Sequence, residues 1–190
     1  MPASGVERIH GEFTGLLQLL TAQNELSLLA SADDSFRKIL LLSAGSYFEY
    51  ELTTIVTDFV VEISAPDSLV AALVKNKAIS RQYHTWFEWE QKNANRFFAM
   101  FGEPFKKHMG GLVKSSSEVD GAIKAFLEIG EHRNRLVHQN LASFVLEKTA
   151  DEIFALYTQA LPFIEIVGKE LRSCSKQAAS ERGSLPELPA

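Results

Sequence analysis

The sequence predicts an all-α protein, most simply an antiparallel bundle of four to five main helices. Three observations carry that reading. Apolar residues recur at spacings of three and four along most of the chain. No stretch makes a credible strand. Capping side chains stand ahead of several of the apolar runs.

Size and composition agree. With 190 residues, 46% of them hydrophobic, the chain suits one globular domain, since domains commonly run to about 100–200 residues. A chain this long buries roughly 70% of its unfolded surface and needs no staples. The single cysteine, Cys174, excludes an internal disulfide and fits a reducing, cytoplasmic setting. The first residues lack the apolar run of a signal peptide. Charges break every apolar stretch well short of about 18 residues, so no membrane span is expected.

In chain order, Ser4 opens a run with Ile9, Phe13, Leu16, Leu17 and Leu20 at helical spacing, continued or restarted through Glu25 to Leu29. Asp33, Asp34 and Ser35 offer N-cap groups for a second helix reaching about Ser64. Its apolar line is Ile39, Leu42, Ser46, Glu49, Thr53, Val56 and Val60, which puts Glu49 in the middle of a largely buried helix. The β-branched run 53–57 weakens the helix locally, but a strand of about 30 residues is implausible. Pro66 ends this helix and Ala65 is pushed off helical angles. Asp67 or Ser68 caps a third helix, carrying Leu69, Leu73, Ala78, Ile79, Tyr83, Trp86, Phe87 and Phe97 with a break near Asn76 and Lys77. Tyr83 and the run 86–89 suit either base stacking or, more simply, an aromatic core or subunit interface.

Residues 99–116 read as a connection, with Gly102, Pro104, Gly110, Gly111 and serines at its end. Lys106, Lys107 and His108 on such a loop could grip a phosphate backbone; a plain solvated loop is the alternative. Ser117 with Asp120 reads as a capping pair, opening a helix with Ile123, Phe126, Leu127 and Gly130 on one face. Gly130 allows a close helix approach there. Thr149 with Glu152 forms a capping box for the last helix, Ile153 to Leu171, in which Pro162 implies a kink or a restart. The domain spans 1–173. Residues 174–190 lack apolar period and are expected to form a disordered tail.

The chemistry concentrates in His132-Arg133-Asn134-Arg135-Leu136-Val137-His138-Gln139, where two arginines, two histidines and two amides crowd one helix. The net charge of −5 argues against a basic nucleic-acid binder in bulk, yet phosphate affinity depends on where the cations cluster. Asn134 and His138, four residues apart, share a helix face. Arg133 lies one step round and reaches across; Arg135 points elsewhere. An imidazole transfers protons near neutral pH, a guanidinium clamps phosphate, and an amide orients either one. Together they suit attack of a ribose 2′-hydroxyl on its own phosphodiester. That reaction needs no metal or other cofactor, and DNA lacks the hydroxyl. No His-Glu-x-x-His or paired-cysteine spacing suggests zinc, and no glycine-rich loop suggests nucleotide triphosphate hydrolysis.

Arg133, four intervening residues and His138 resemble the Arg-x4-His motif of HEPN domains, with Asn134 as the polar residue many active members carry. The segment 40–49, Leu-Leu-Leu-Ser-Ala-Gly-Ser-Tyr-Phe-Glu, resembles the second helix of RiboL-PSP-type HEPN proteins, where a phenylalanine–glutamate pair recurs. The resemblance covers most of residues 5–172. It implies an all-α bundle and a metal-independent endoribonuclease acting on RNA as a homodimer, two motifs facing one cleft. A role as a toxin or in anti-phage defence, with an antitoxin or defence partner protein, is implied too. Arg133 and His138 would be catalytic, Asn134 would orient them, and Glu49 would be an acidic companion, with Glu51 competing for that place. His132 and Arg135 are then substrate contacts, with Lys106 and Lys107 as further candidates. The rival expectation is a catalytically inactive HEPN module that binds RNA or a partner, motivated by the acidic charge and the abundant apolar surface.

Overall fold

The computed structural model describes residues 4–65 and 68–183. Of these 81% are helical and none forms a strand, so the fold is all-α, as the periodicity predicts. Helices α1 (Gly5–Ala22), α2 (Leu26–Ser64), α6 (Ser117–His138) and α7 (Ala150–Gly183) form the bundle, with α5 (Glu103–Ser115) closing one end. Two short helices, α3 (Leu69–Val74) and α4 (Asn95–Ala99), lie between α2 and α5.

Helix α1 opens with a capping box: Ser4 Oγ accepts from the Glu7 amide, and the Glu7 carboxylate accepts from the Ser4 amide. It turns back at 23–25 and lies antiparallel to α2, stacking Phe13 on Phe36. Gly45 and Phe48 of α2 meet Arg133 and Phe126 of α6, so these two helices also run antiparallel. Phe126 meets Phe163 of α7 in turn. The α2 core line is Phe36, Leu40, Ala44, Phe48, Leu52 and Val56, all buried. Each such large apolar side chain, once buried, contributes about 1.5–3 kcal/mol.

That line is not the expected one. Ile39 and Ser46 face outward, and Glu49 sits at the rim of the buried face, its side chain 41% exposed. The stretch is apolar nearly all round, so spacing alone does not select the inward face. The start of α2 also differs. It begins at Leu26, and Asp33 and Asp34 lie inside it as ion-pair partners of Arg37 and Lys38 rather than as caps. Pro66 and Asp67 fall outside the described residues; Ser68 does cap α3, accepting from the Val70 amide.

The third helix stops far earlier than its apolar positions imply. After Val74 the chain makes a π-helical turn to Ile79, passes Arg81 at φ 60°, and winds through a 3₁₀ turn, Tyr83–Thr85, before α4. Indole N–H groups fasten this irregular stretch: Trp86 Nε1 donates to the Ala78 carbonyl and Trp89 Nε1 to that of His84. Tyr83, Trp86 and Phe87 are buried, so these aromatics are core and not a stacking surface.

Residues 103–115 are helix and not loop. Pro104 sits in the first turn of α5, where it lacks no needed N–H. Gly110 and Gly111 face open space. The cap of α6 is Ser116, one residue before the expected Ser117. The Thr149–Glu152 box caps α7 as expected, the Thr149 amide donating to Glu152 at 2.7 Å. Helix α7 then runs unbroken through Pro162 and on to Gly183, past Cys174 where a tail was expected; 184–190 lie outside the described residues.

Gly130 does not serve a helix–helix approach. A Cβ there would overlap the Trp89 ring, whose face covers this turn of α6. Gly130→Ala should therefore destabilise by about 1–3 kcal/mol in urea unfolding, although glycine to alanine inside a helix ordinarily gains about 1 kcal/mol.

Candidate active site between α2 and α6

Helix α6 crosses α2 where Gly45 leaves its backbone bare. A Cβ at Gly45 would stand 2.9 Å from Arg133 Cγ, so the arginine stem occupies that space. The guanidinium then reaches one turn along α2. Its Nη2 donates to Glu49 Oε2 at 3.1 Å, and Nη1 donates to Asn134 Oδ1 at 3.3 Å. Arg133 is 27% exposed and opens toward solvent. The structure thus brings Arg133, Asn134 and Glu49 together. Glu51 is not part of this group; it lies by Tyr47, whose phenol is pushed up to about 12 by burial first, then by Tyr157 and by the charge of Glu51.

His138 ends α6, exposed, one turn past Asn134 on the expected face. Among the described residues no hydrogen bond or ion pair reaches its ring, so the fold does not join it to Arg133. A guanidinium carries five N–H donors, so one that gives single bonds to Glu49 and Asn134 keeps others for an anion. An exposed imidazole nearby can exchange a proton with a bound substrate.

His132 and Arg135 are engaged elsewhere. Residues 139–149 form an irregular strap back to α7, and of the two only Arg135 touches it. Arg135 lies over the Phe144 ring at 5.9 Å, a cation–π contact. His132 approaches Glu128 at 3.9 Å, and Glu128 pairs with Lys148 at 2.6 Å. From α2, Arg37 donates to the Leu146 carbonyl and buried Lys38 to that of Leu141. Lys106 and Lys107 sit elsewhere. Lys106 pairs with Glu103, and next to them His108 holds Glu170 of α7. Arg172, close by, pairs with Glu62, about 25 Å from Gly45 along α2 at 1.5 Å per residue. The two lysines belong to the other end of the bundle.

Behind Arg133 lies a cavity of about 10 Å³, the space of one water, walled by Gly45, Phe48, Tyr83, Trp89, Gly130 and Asn134. Sequence spacing flagged Tyr83, Trp89 and Gly130 but tied none of them to the arginine, and it passed over Gly45 as a site residue. Among the described residues no group of three or more His, Cys, Asp or Glu could hold a metal ion, and no helix is long and apolar enough to cross a membrane.

An all-α bundle presenting an arginine, an amide and a carboxylate at the contact of its second and sixth helices defines a helical domain of the HEPN kind. The chain belongs to the RiboL-PSP-HEPN family, whose sequence model matches residues 12–173. No curated protein and no solved structure matches significantly. Family membership supports an RNase or nucleotide-related function and RNA as a binding partner.

Two outcomes test this geometry. The Arg133–Glu49 pair is half exposed, and such pairs are worth about 0–1 kcal/mol. Glu49→Gln should thus lower unfolding stability by less than about 1 kcal/mol, and a larger loss would show that the pair is a structural prop.

The second outcome concerns pH. Burial holds the His132 imidazole below its ordinary value, Lys148 adds to this, Glu128 and Glu131 oppose it, and Arg135 adds a little. As pH falls, the unfolded chain binds that proton first. The contribution of His132 is therefore complete above the ordinary histidine value and is lost as pH drops through it toward the lower folded value. Wild type should lose more stability than His132→Asn between about pH 7.5 and 5.5, measured by urea titration; parallel curves would contradict the assignment.

Proposed function

We propose that this protein is a metal-independent endoribonuclease, acting in the cytoplasm as a homodimer. The observation that carries the reading is Arg133, held by Glu49 and Asn134 one turn from His138, in a chain of this family. Arg133 grips the scissile phosphate while Asn134 and Glu49 keep the guanidinium in place. His138 takes the proton of the ribose 2′-hydroxyl. The 2′-oxygen bonds to phosphorus, the bond from phosphorus to the 5′-oxygen breaks, and that oxygen receives a proton. The products are a 2′,3′-cyclic phosphate and a 5′-hydroxyl end. DNA has no such hydroxyl and is not cut.

The exposed place of His138, apart from the guanidinium of its own chain, favours a cleft completed by a second copy. A cleavage activity of this kind suits a toxin or an anti-phage effector restrained by a partner protein.

The rival reading, a non-catalytic module that binds RNA or a protein, draws on one observation: Glu49 already neutralises much of the Arg133 charge. Purified protein incubated with RNA in EDTA separates the two. Cleavage leaving cyclic phosphate, abolished by His138→Ala, is expected; activity surviving that substitution would sink the nuclease. Arg133→Ala should cost about 100-fold or more in turnover, and Arg135→Ala less than tenfold, since Arg135 serves the strap. Expression of wild type that slows bacterial growth, and of His138→Ala that does not, would agree.

A further inference from the structure

Among the described residues two charged side chains are buried, Lys38 and Glu170. Glu170 sits at the far end of the bundle, where His108 holds it. Lys38 reaches the strap that leaves α6 directly after His138. Its Nζ donates to Asp34 Oδ2 at 2.7 Å, one turn back on α2, and to the Leu141 carbonyl at 3.1 Å. Taking an ammonium out of water is costly, and an apolar side chain of that length would pack without the cost. The bond to the strap is what the charge supplies here.

Helix α6 ends without a cap of its own. Gln139 is extended, at φ −115° and ψ 170°, and among the described residues no capping bond closes the last turn. The last carbonyls of a helix lack partners within it, and such an end frays. His138 lies in that turn. The chain just beyond it is fixed instead. Asn140 Oδ1 accepts from the Ala142 amide, and the Asn140 carbonyl accepts from the Ser143 and Phe144 amides. Lys38 ties this tight turn to α2 at Leu141, three residues past His138. With so short a tether, the last turn of α6 unwinds only if the Lys38 bond or the Asn140 turn gives way. The same helix α2 carries Gly45 and Glu49, which place Arg133.

We propose that Lys38 is a positioning residue for His138. Its buried ammonium holds the Leu141 carbonyl, keeps the last turn of α6 wound and so sets where the imidazole stands relative to Arg133. Helix α2 thereby places both groups, the guanidinium through Gly45 and Glu49 and the imidazole through Lys38. This deepens the nuclease reading, on which only its kinetic consequence rests.

Lys38→Met keeps the stem and removes the ammonium, while Asp34, half exposed, turns to water. In amide hydrogen exchange, protection of residues 135–138 should fall about tenfold in Lys38→Met, with α7 unchanged. Lys38→Arg, which keeps a charged donor, should restore it. Unchanged protection in Lys38→Met would overturn the proposal whatever the RNA assay reads. A Lys38→Met chain that does not fold would make the lysine a support of the whole bundle and overturn the positioning role. In the EDTA assay, Lys38→Met should lower kcat about tenfold with KM unchanged, since Arg133 keeps its grip on phosphate. Lys38→Arg should recover that loss. Arg172→Met, which breaks an ion pair at the other end of the bundle, should change neither reading. Lost protection with an unchanged kcat would overturn the positioning role. Lost protection in Lys38→Met, beside a wild type inert toward RNA, would uphold the tether and overturn the nuclease reading.

Discussion

Arg133 lying in the space above Gly45 is the contact on which the site depends. It fixes three things together. The missing Cβ sets how closely α6 passes α2 at this point. The stem so placed delivers the guanidinium to Glu49, one turn along α2. The same backbone position orients Asn134, which caps the guanidinium from its own helix. A larger residue at 45 would displace the arginine, and Glu49, anchored in α2, could not follow it.

Two irregular segments hold this contact in place, and both are tied by polar groups reaching into unusual backbone. The stretch 80–94 folds over α6 and presses Trp89 against Gly130, with indole bonds to carbonyls that no helix satisfies. The strap 139–149 is held from α2 by Arg37 and Lys38, which donate to its free carbonyls. Buried backbone outside regular structure needs such partners. Phe144 and Leu146 then bury against the bundle, and the strap leaves α6 directly after His138. The turn that carries this histidine is consequently framed by fixed structure on both sides.

Much of this was legible in the sequence, for identifiable reasons. The helical period and the Thr149–Glu152 box are local signals, and both are realised. The resemblance and the helical spacing offered Glu49 as a companion of Arg133 or His138, with Glu51 competing; the structure pairs Glu49 with Arg133 and leaves Glu51 apart. What escaped was set by distant contacts. Spacing placed the inward face of α2 one position away, because that helix is apolar nearly all round. It read 99–116 as a loop, because proline and glycine are breakers on average and yet tolerated in a first turn or on an open face. It gave His132 and Arg135 to substrate, whereas Arg135 meets Phe144 in a strap that has no sequence signature and His132 lies against Glu128 of its own helix. Lys106 and Lys107 looked available only because nothing local reveals which end of a bundle a cation occupies.

The energetics of the central contact bear on its purpose. Glycine inside a helix costs about 1 kcal/mol relative to alanine, and Gly45 lies in the middle of a 39-residue helix. The half-exposed ion pair it permits is worth about 0–1 kcal/mol. The two roughly cancel, and what favours glycine is the close passage of α6, since a Cβ at 45 would stand 2.9 Å from Arg133 Cγ. Gly130 differs, since the indole it admits adds buried aromatic area to the core. Of the two glycines beside Arg133, Gly130 admits the Trp89 ring and Gly45 admits the arginine stem at the α2–α6 contact. Gly45 thereby decides where the guanidinium stands, one turn from its own level on α2 beside Glu49 and partly open to solvent.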